Sequence, residues 1–264
     1  VSGDRLYGRG IADMKGGAGC FLASLEKSIA KIKGKVSIFL TCDEEVGTYE
    51  GTQALLKWAK DNGKIPTHCL IGEPSSFEKI CDRIYIGHRG SVNILTSCQG
   101  LQRHSAYVAK STNNNPAEKI GRFIAEVSKY EFKSDDRFPE TIASPTVVEC
   151  SNIAQNVIPG YASVNHNIRF SAYSTADIKL IFEGIARKYD MSVSVTPSGE
   201  PYICEDEKLL EIAKQATFEN TGYLPEFSAG GGTSDGRFMI HYCPVVEMGV
   251  VDAVAVALKV VELM

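Results

Sequence analysis

Three acidic segments and one glycine-rich loop hold the side chains of this sequence best suited to chemistry. Asp13 lies in Tyr7-Gly-Arg-Gly-Ile-Ala-Asp-Met-Lys-Gly-Gly17, Glu44 and Glu45 in Asp43-Glu-Glu45, and Glu73 in Gly72-Glu-Pro-Ser75. The last two segments follow apolar runs that read as core strands, and α/β proteins place active sites at such strand ends. Neighbouring carboxylates at the mouth of a core strand repel one another and lose hydration, so a cation or a shared proton is the natural compensation. Together Asp13, Glu45 and Glu73 make an oxygen-donor set for a divalent metal, with Glu44 left to handle protons. A helix cap at Asp13 and solvated acidic loops at the other two are the competing readings.

The fourth segment is Gly230-Gly-Gly-Thr-Ser-Asp-Gly-Arg-Phe238. A run of glycines lets backbone approach a ligand, and Thr233, Ser234 and Arg237 offer donors to an oxyanion or carboxylate; a flexible loop leading into a helix is the plainer alternative. His104 in Gln102-Arg-His-Ser-Ala-Tyr107 and Arg169 in Asn167-Ile-Arg-Phe170 are further polar candidates. A lone His is commonly structural, and an Arg on a strand commonly faces solvent. The glycines around Gly8 and Gly10 match neither phosphate-binding fingerprint, which removes nucleotide binding as a reading of that segment.

Positioning these residues requires strands and helices in alternation. The spacing predicts helices over 14–32 and 52–60, a buried strand over 35–41, and short strands over 67–71 and 80–86. It then predicts a strand over 91–98, a helix over 116–129 with Pro116 in its first turn, strands over 146–150 and 162–170, a helix over 175–189 capped by Ser174, and a strand over 191–196. That order is β-α-β-β-α-β, the ferredoxin-like split motif, expected as an inserted domain over 90–198. A helix over 207–220, a strand over 244–248 and a helix over 251–263 complete the first domain, expected over 1–89 and 199–264. The fold class is thus α/β: a mixed-sheet catalytic domain carrying an inserted α+β domain.

Composition narrows the function classes. The 264 residues include 28 Lys and Arg against 32 Asp and Glu, a net charge of −4, which leaves no basic excess for a phosphate backbone. No run reaches the roughly 18 to 20 apolar residues that span a bilayer. The eight cysteines are scattered without a Cys-x-x-Cys pair, as expected of reduced thiols in a cytoplasmic protein.

Six ordered motifs carry a family resemblance. They are Leu6-Tyr-Gly-Arg-Gly-Ile-Ala-Asp-Met-Lys-Gly16, Asp43-Glu-Glu45, Gly72-Glu-Pro74, Asn156-Val-Ile-Pro-Gly160, Ile168-Arg-Phe170 and Gly232-Thr-Ser-Asp-Gly-Arg-Phe238. The sequence resembles the dinuclear-zinc amidohydrolases of the aminoacylase and carboxypeptidase family. The resemblance implies a zinc-dependent amidohydrolase acting on an N-acyl amino acid, with two Zn2+ per subunit and Co2+ as a possible substitute. It implies that Asp13 bridges the two ions, Glu45 binds one and Glu73 the other, while Glu44 is the general base. The inserted domain is implied to mediate a homodimer, with His104 reaching the partner's active site to stabilise an oxyanion. Arg169, Asn156, Gly232, Thr233 and Ser234, with Arg89 near the hinge, are implied to hold substrate carboxylates, as a bidentate guanidinium suits.

The resemblance is incomplete in two places. The family's His-x-Asp motif ahead of the Tyr-Gly-Arg-Gly segment and a second His beyond Gly249 have no counterpart in the sequence as given. The expectation is a sequence that leaves out loops of a longer protein, with metal sites incomplete as written. Another N-acyl amino acid hydrolase of the family, or a non-catalytic homologue, are the alternatives.

Overall fold

A computed structural model describes residues 7–42, 44, 50–109, 114–152 and 154–249. Glu45, the expected metal ligand, and the expected helix over 251–263 lie outside the described residues. The chain divides into two compact units, one of residues 1–88 and 202–264 and one of residues 89–201.

The first unit contains helices α1 (Gly16–Ser28) and α2 (Thr52–Asp61), then strands β1 (Cys69–Ile71), β2 (Arg83–Tyr85) and β3 (Gly87–His88). The second contains β4 (Gly90–Gln99), β5 (Arg103–His104), α3 (Pro116–Val127), β6 (Ile142–Cys150), β7 (Val157–Ile158), β8 (Tyr161–Phe170), α4 (Thr175–Arg187) and β9 (Ser192–Gly199). The chain then returns to the first unit through β10 (Tyr202–Ile203), α5 (Glu207–Thr221), β11 (Glu226–Ser228), the single turn α6 (Gly236–Met239) and β12 (Val245–Glu247).

In the second unit the main sheet runs β6-β8-β4-β9 with every neighbouring pair antiparallel. Together with α3 and α4 this is a β-α-β-β-α-β sandwich. Both helices begin with side-chain caps. Asn115 accepts from the Ala117 N–H ahead of Pro116, and Ser174 and Asp177 form a capping box. Ile120 and Phe123 of α3 and Ile178 and Phe182 of α4 are buried with Val92, Ile94, Val164 and Ile168 of the sheet. Ser91 pairs with Gly199, which keeps 199 in this unit beyond the expected boundary at 198.

The first unit has a mixed four-stranded sheet, β1-β12-β2-β11, with β1 parallel to β12, β12 antiparallel to β2 and β2 parallel to β11. The start of β2 is set by the loop ahead of it. The N–H groups of Phe77, Glu78 and Lys79 donate to the Asp82 carboxylate, so the extended chain begins only at Arg83. A two-stranded pair, β3 with β10, joins Tyr202 to His88 and Ile203 to Gly87 at the point where the chain leaves this unit and returns.

One expected core strand is corrected. Residues 35–41 form no strand, and Val36, Ile38 and Leu40 are exposed, Leu40 by 68%. Their alternation fits a pleated surface, but no described strand pairs with them. A row of apolar side chains becomes core only when a neighbouring strand satisfies its backbone and covers a face.

Candidate functional site

In the first unit, carboxylates gather around Glu73, which lies two residues beyond β1. Burial first, then the charges of Asp13, Glu247, Glu44 and Asp235, push the Glu73 carboxyl up to about 8. Three of these five, Asp13, Glu44 and Glu73, were expected from sequence to share a site. Asp235 and Glu247 are additions. Asp13 makes no helix-capping bond. It sits with extended backbone, φ −124° and ψ 100°, in the irregular turn that precedes α1, leaving its carboxylate outside the helix's own bonding. Thr52, the first residue of α2, donates its hydroxyl to Asp235.

Among the described residues no three His, Cys, Asp or Glu side chains converge to hold a metal ion. The chemistry of the cluster nevertheless fits one. Carboxylates whose mutual repulsion, added to burial, pushes one member up to about 8 are hard oxygen donors in need of a counter-charge, and a divalent cation supplies it. Asp13 and Glu73 are the described residues that would hold such an ion. Of the histidines, His88 is bonded to Glu247, His166 lies in the core of the second unit, and His68 is 3.8 Å from Asp206.

The Gly230–Phe238 loop begins behind β11. Gly231 has φ +84°, a backbone conformation that a side chain would strain, and its Cα faces the Tyr85 ring. Gly232 is exposed and Thr233 half-buried. Ser234 departs from expectation: it is buried, its hydroxyl donates to Glu247 Oε1, and its Oγ accepts from the Gly236 N–H at 3.0 Å. This corrects the reading of its hydroxyl as a donor to a ligand. Beside it, Tyr202 donates to the same Glu247 oxygen at 2.6 Å and His88 Nε2 meets Glu247 Oε2 at 2.7 Å. Sequence alone assigns no role to His88, Tyr202 or Glu247. A lone acidic residue inside the apolar run Pro244–Met248 was the available signal for Glu247.

In the second unit two pairs form. Antiparallel pairing of β5 with β7 sets His104 opposite Val157, and this brings His104 Nε2 within 3.1 Å of the Asn156 amide nitrogen. The Ala106 N–H donates to His104 Nδ1 at 3.2 Å. Both residues are exposed. Separately, Arg89 and Arg169 lie close enough to repel: burial first, and then the Arg169 charge, hold Arg89 below its usual value. Arg89 donates from Nη1 to the Glu140 carbonyl at 2.7 Å, while its buried Nε has no partner.

The description "Peptidase family M20/M25/M40" matches residues 1–258. A succinyl-diaminopimelate desuccinylase of Gluconobacter oxydans is 36% identical over 259 residues, covering 96% of this chain and 68% of the relative. One of Parvibaculum lavamentivorans is 37% identical over 265 residues, covering 96% and 66%. The chain thus spans about two thirds of the length of these relatives. Among solved structures, aminopeptidase PepT from Bacillus cereus superposes with a TM-score of 0.74 at 17% identity, covering 94% of this chain and 70% of that one. The M20 family metallo-carboxypeptidase Sso-CP2 from Sulfolobus solfataricus also gives 0.74, at 12% identity, covering 100% and 77%. The mixed α/β fold is the one these structures share. No helix among the described residues is long and apolar enough to cross a membrane.

Proposed function

The chain belongs to peptidase family M20/M25/M40, and from that premise we propose that it hydrolyses the amide bond of N-succinyl-LL-2,6-diaminopimelate to succinate and LL-2,6-diaminopimelate. The observation that supports hydrolysis is the electrostatic coupling of Glu73, itself partly buried, to Asp13, Glu247, Glu44 and Asp235. The names of relatives 36–37% identical over nearly the whole chain support the substrate.

Asp13 and Glu73, with Glu45, would hold two zinc ions. When bound they supply positive charge that polarises an amide carbonyl and acidifies a water. Glu44 takes the proton of the attacking water on a carboxylate oxygen and delivers it to the departing amine nitrogen. His104 donates its Nε2–H to the carbonyl oxygen as that oxygen gains charge, with the Ala106 N–H holding the ring at Nδ1. Arg89 and Arg169 bind a substrate carboxylate, and Gly232 and Thr233 present the loop to another.

The test is amine release by the zinc- or cobalt-loaded protein. We expect kcat/KM for the succinyl substrate to exceed that for N-acetylornithine by roughly 100-fold, a ratio within reach of a site that hydrogen-bonds a carboxylate. The reverse preference would move the assignment to a deacetylase, and no turnover of either by metal-loaded protein would leave a non-catalytic homologue.

The second unit is further proposed as an inserted dimerisation domain, the His104 of each subunit serving its partner. In support, β6 is a nine-residue edge strand with Ile142, Val147 and Val148 about half exposed. Long edges with apolar side chains invite pairing with another chain. Sedimentation is expected to show a dimer for the wild type and a monomer for Val148→Lys; a dimer undisturbed by Val148→Lys would move the interface away from β6.

A further inference from the structure

We propose that Glu247 is a positioning residue, which sets the Gly230–Ser234 loop for its ligand by tethering Ser234 to the strand pair β3–β10. Its carboxylate is 2% exposed and is surrounded by three donors from three distant stretches of sequence. His88 Nε2, on β3, lies 2.7 Å from Oε2. Tyr202 Oη, on β10, lies 2.6 Å from Oε1, and the Ser234 hydroxyl donates to that same oxygen. Ser234 in turn receives the Gly236 N–H at 3.0 Å and lies 3.2 Å from Tyr202 Oη. An ionised carboxylate only accepts, so three converging donors fix its orientation and those of their owners.

The site is built to be tight. A Cβ on Gly236 would sit against Tyr202 Oη and 2.6 Å from Glu247 Oε1, so a side chain there would push the loop off its anchor. His88 and Tyr202 are register partners and the last and first residues of the first unit on either side of the insertion. Glu247 thus ties the loop to the crossing point of the chain. Its place beside Glu73 is electrostatic, whereas its bonds run to the loop and to β3–β10.

The functional effect rests on the reading above, in which Gly232 and Thr233 face a substrate carboxylate. The anchor itself does not, and the experiment separates the two. Amide hydrogen exchange across residues 229–238 of the whole protein reads the tether without any substrate. Ser234→Ala, which removes one hydroxyl, is expected to speed exchange at the Gly236 amide at least tenfold, whereas Glu247→Gln, which still offers an oxygen to Tyr202 and Ser234, stays near wild type.

In the zinc-loaded protein Ser234→Ala is expected to raise KM for the succinyl substrate about tenfold, the scale of one lost charge-assisted hydrogen bond, with kcat changed less than about twofold. Glu247→Met is expected to raise KM at least as much, and the double variant to be no worse than Glu247→Met alone, since each removes the bond between Ser234 and Glu247. Unchanged exchange in Ser234→Ala overturns the anchor, even where Glu247→Met fails to fold. Additive effects of the two variants, or a fall in kcat with KM preserved, also overturn it by placing Ser234 directly on substrate. An exchange effect in a protein that turns over neither substrate leaves the anchor standing and removes the substrate reading.

Discussion

Glu44→Gln is expected to lower kcat for amide hydrolysis by roughly 10³-fold, within the range supplied by a positioned general base, with KM and bound metal within about twofold of wild type. The amide side chain keeps the volume and one acceptor oxygen but cannot take a proton. Glu44 is half-buried and its charge acts on Glu73, so it belongs to the cluster. Its partner variant, Glu73→Gln, is expected to lose metal and activity together, because the proposed role of Glu73 is to hold the ion. Steady-state kinetics with metal analysis on the same samples separates the two roles. Substantial activity in metal-loaded Glu44→Gln would remove Glu44 as the base.

Acid is expected to destabilise the second unit through His166. This residue sits on β8, fully buried, edge-on to Phe123 and Phe182, with neither ring nitrogen hydrogen-bonded. Burial pulls its pKa down to about 4 from an ordinary 6.5. Above pH 6.5 the ring is neutral whether the chain is folded or not, and stability does not depend on it. Between 6.5 and 4 the unfolded chain binds a proton that the folded one refuses, so stability falls as pH falls. Below 4 both forms carry the proton and the dependence ends. The total amounts to about 3 kcal/mol. His166→Leu, which needs no hydrogen bond, is expected to flatten that part of the curve and to add about 1–2 kcal/mol at neutral pH by removing an unsatisfied buried polar group. Urea unfolding between pH 4 and 7 tests it, and an unchanged slope in His166→Leu would exclude His166 as the source.

The helices and main-sheet strands of the second unit were legible because they are long enough to carry a sequence pattern, whereas the two-residue β5 and β7 were not. β8 is buried at every second residue along most of its length, and α3 and α4 place apolar residues three and four apart behind recognisable caps. The short strands β1, β2 and β12 were legible from the apolar runs that hold them, whereas β3, β10 and β11 have neither a run nor the length to display a period, and only the folded chain reveals them. Residues 35–41 misled for the opposite reason: they have the period and lack the neighbour. In the candidate site, Glu44 and Glu73 were legible as acids where apolar sequence stops, and Asp13 as an acid in a glycine-rich segment. His88, Tyr202 and Glu247 were not, because their chemistry exists only where β3, β10 and β12 meet. Ser234 shows the same limit, since a sequence displays a hydroxyl but not the group to which it is already bonded.

The pairings Tyr202 with His88 and Ser91 with Gly199 bear on the order in which the chain can fold. Unit 1 is interrupted by more than a hundred residues, and closing a flexible loop of that size costs about 3 kcal/mol more than closing a short turn, at about 0.6 kcal/mol per doubling of length. The second unit is continuous, and its own sheet brings β4 and β9 side by side. Once it has formed, the interruption is no longer a long loop but a clasp a few residues wide, and the remaining segments assemble as if they had been adjacent in the sequence.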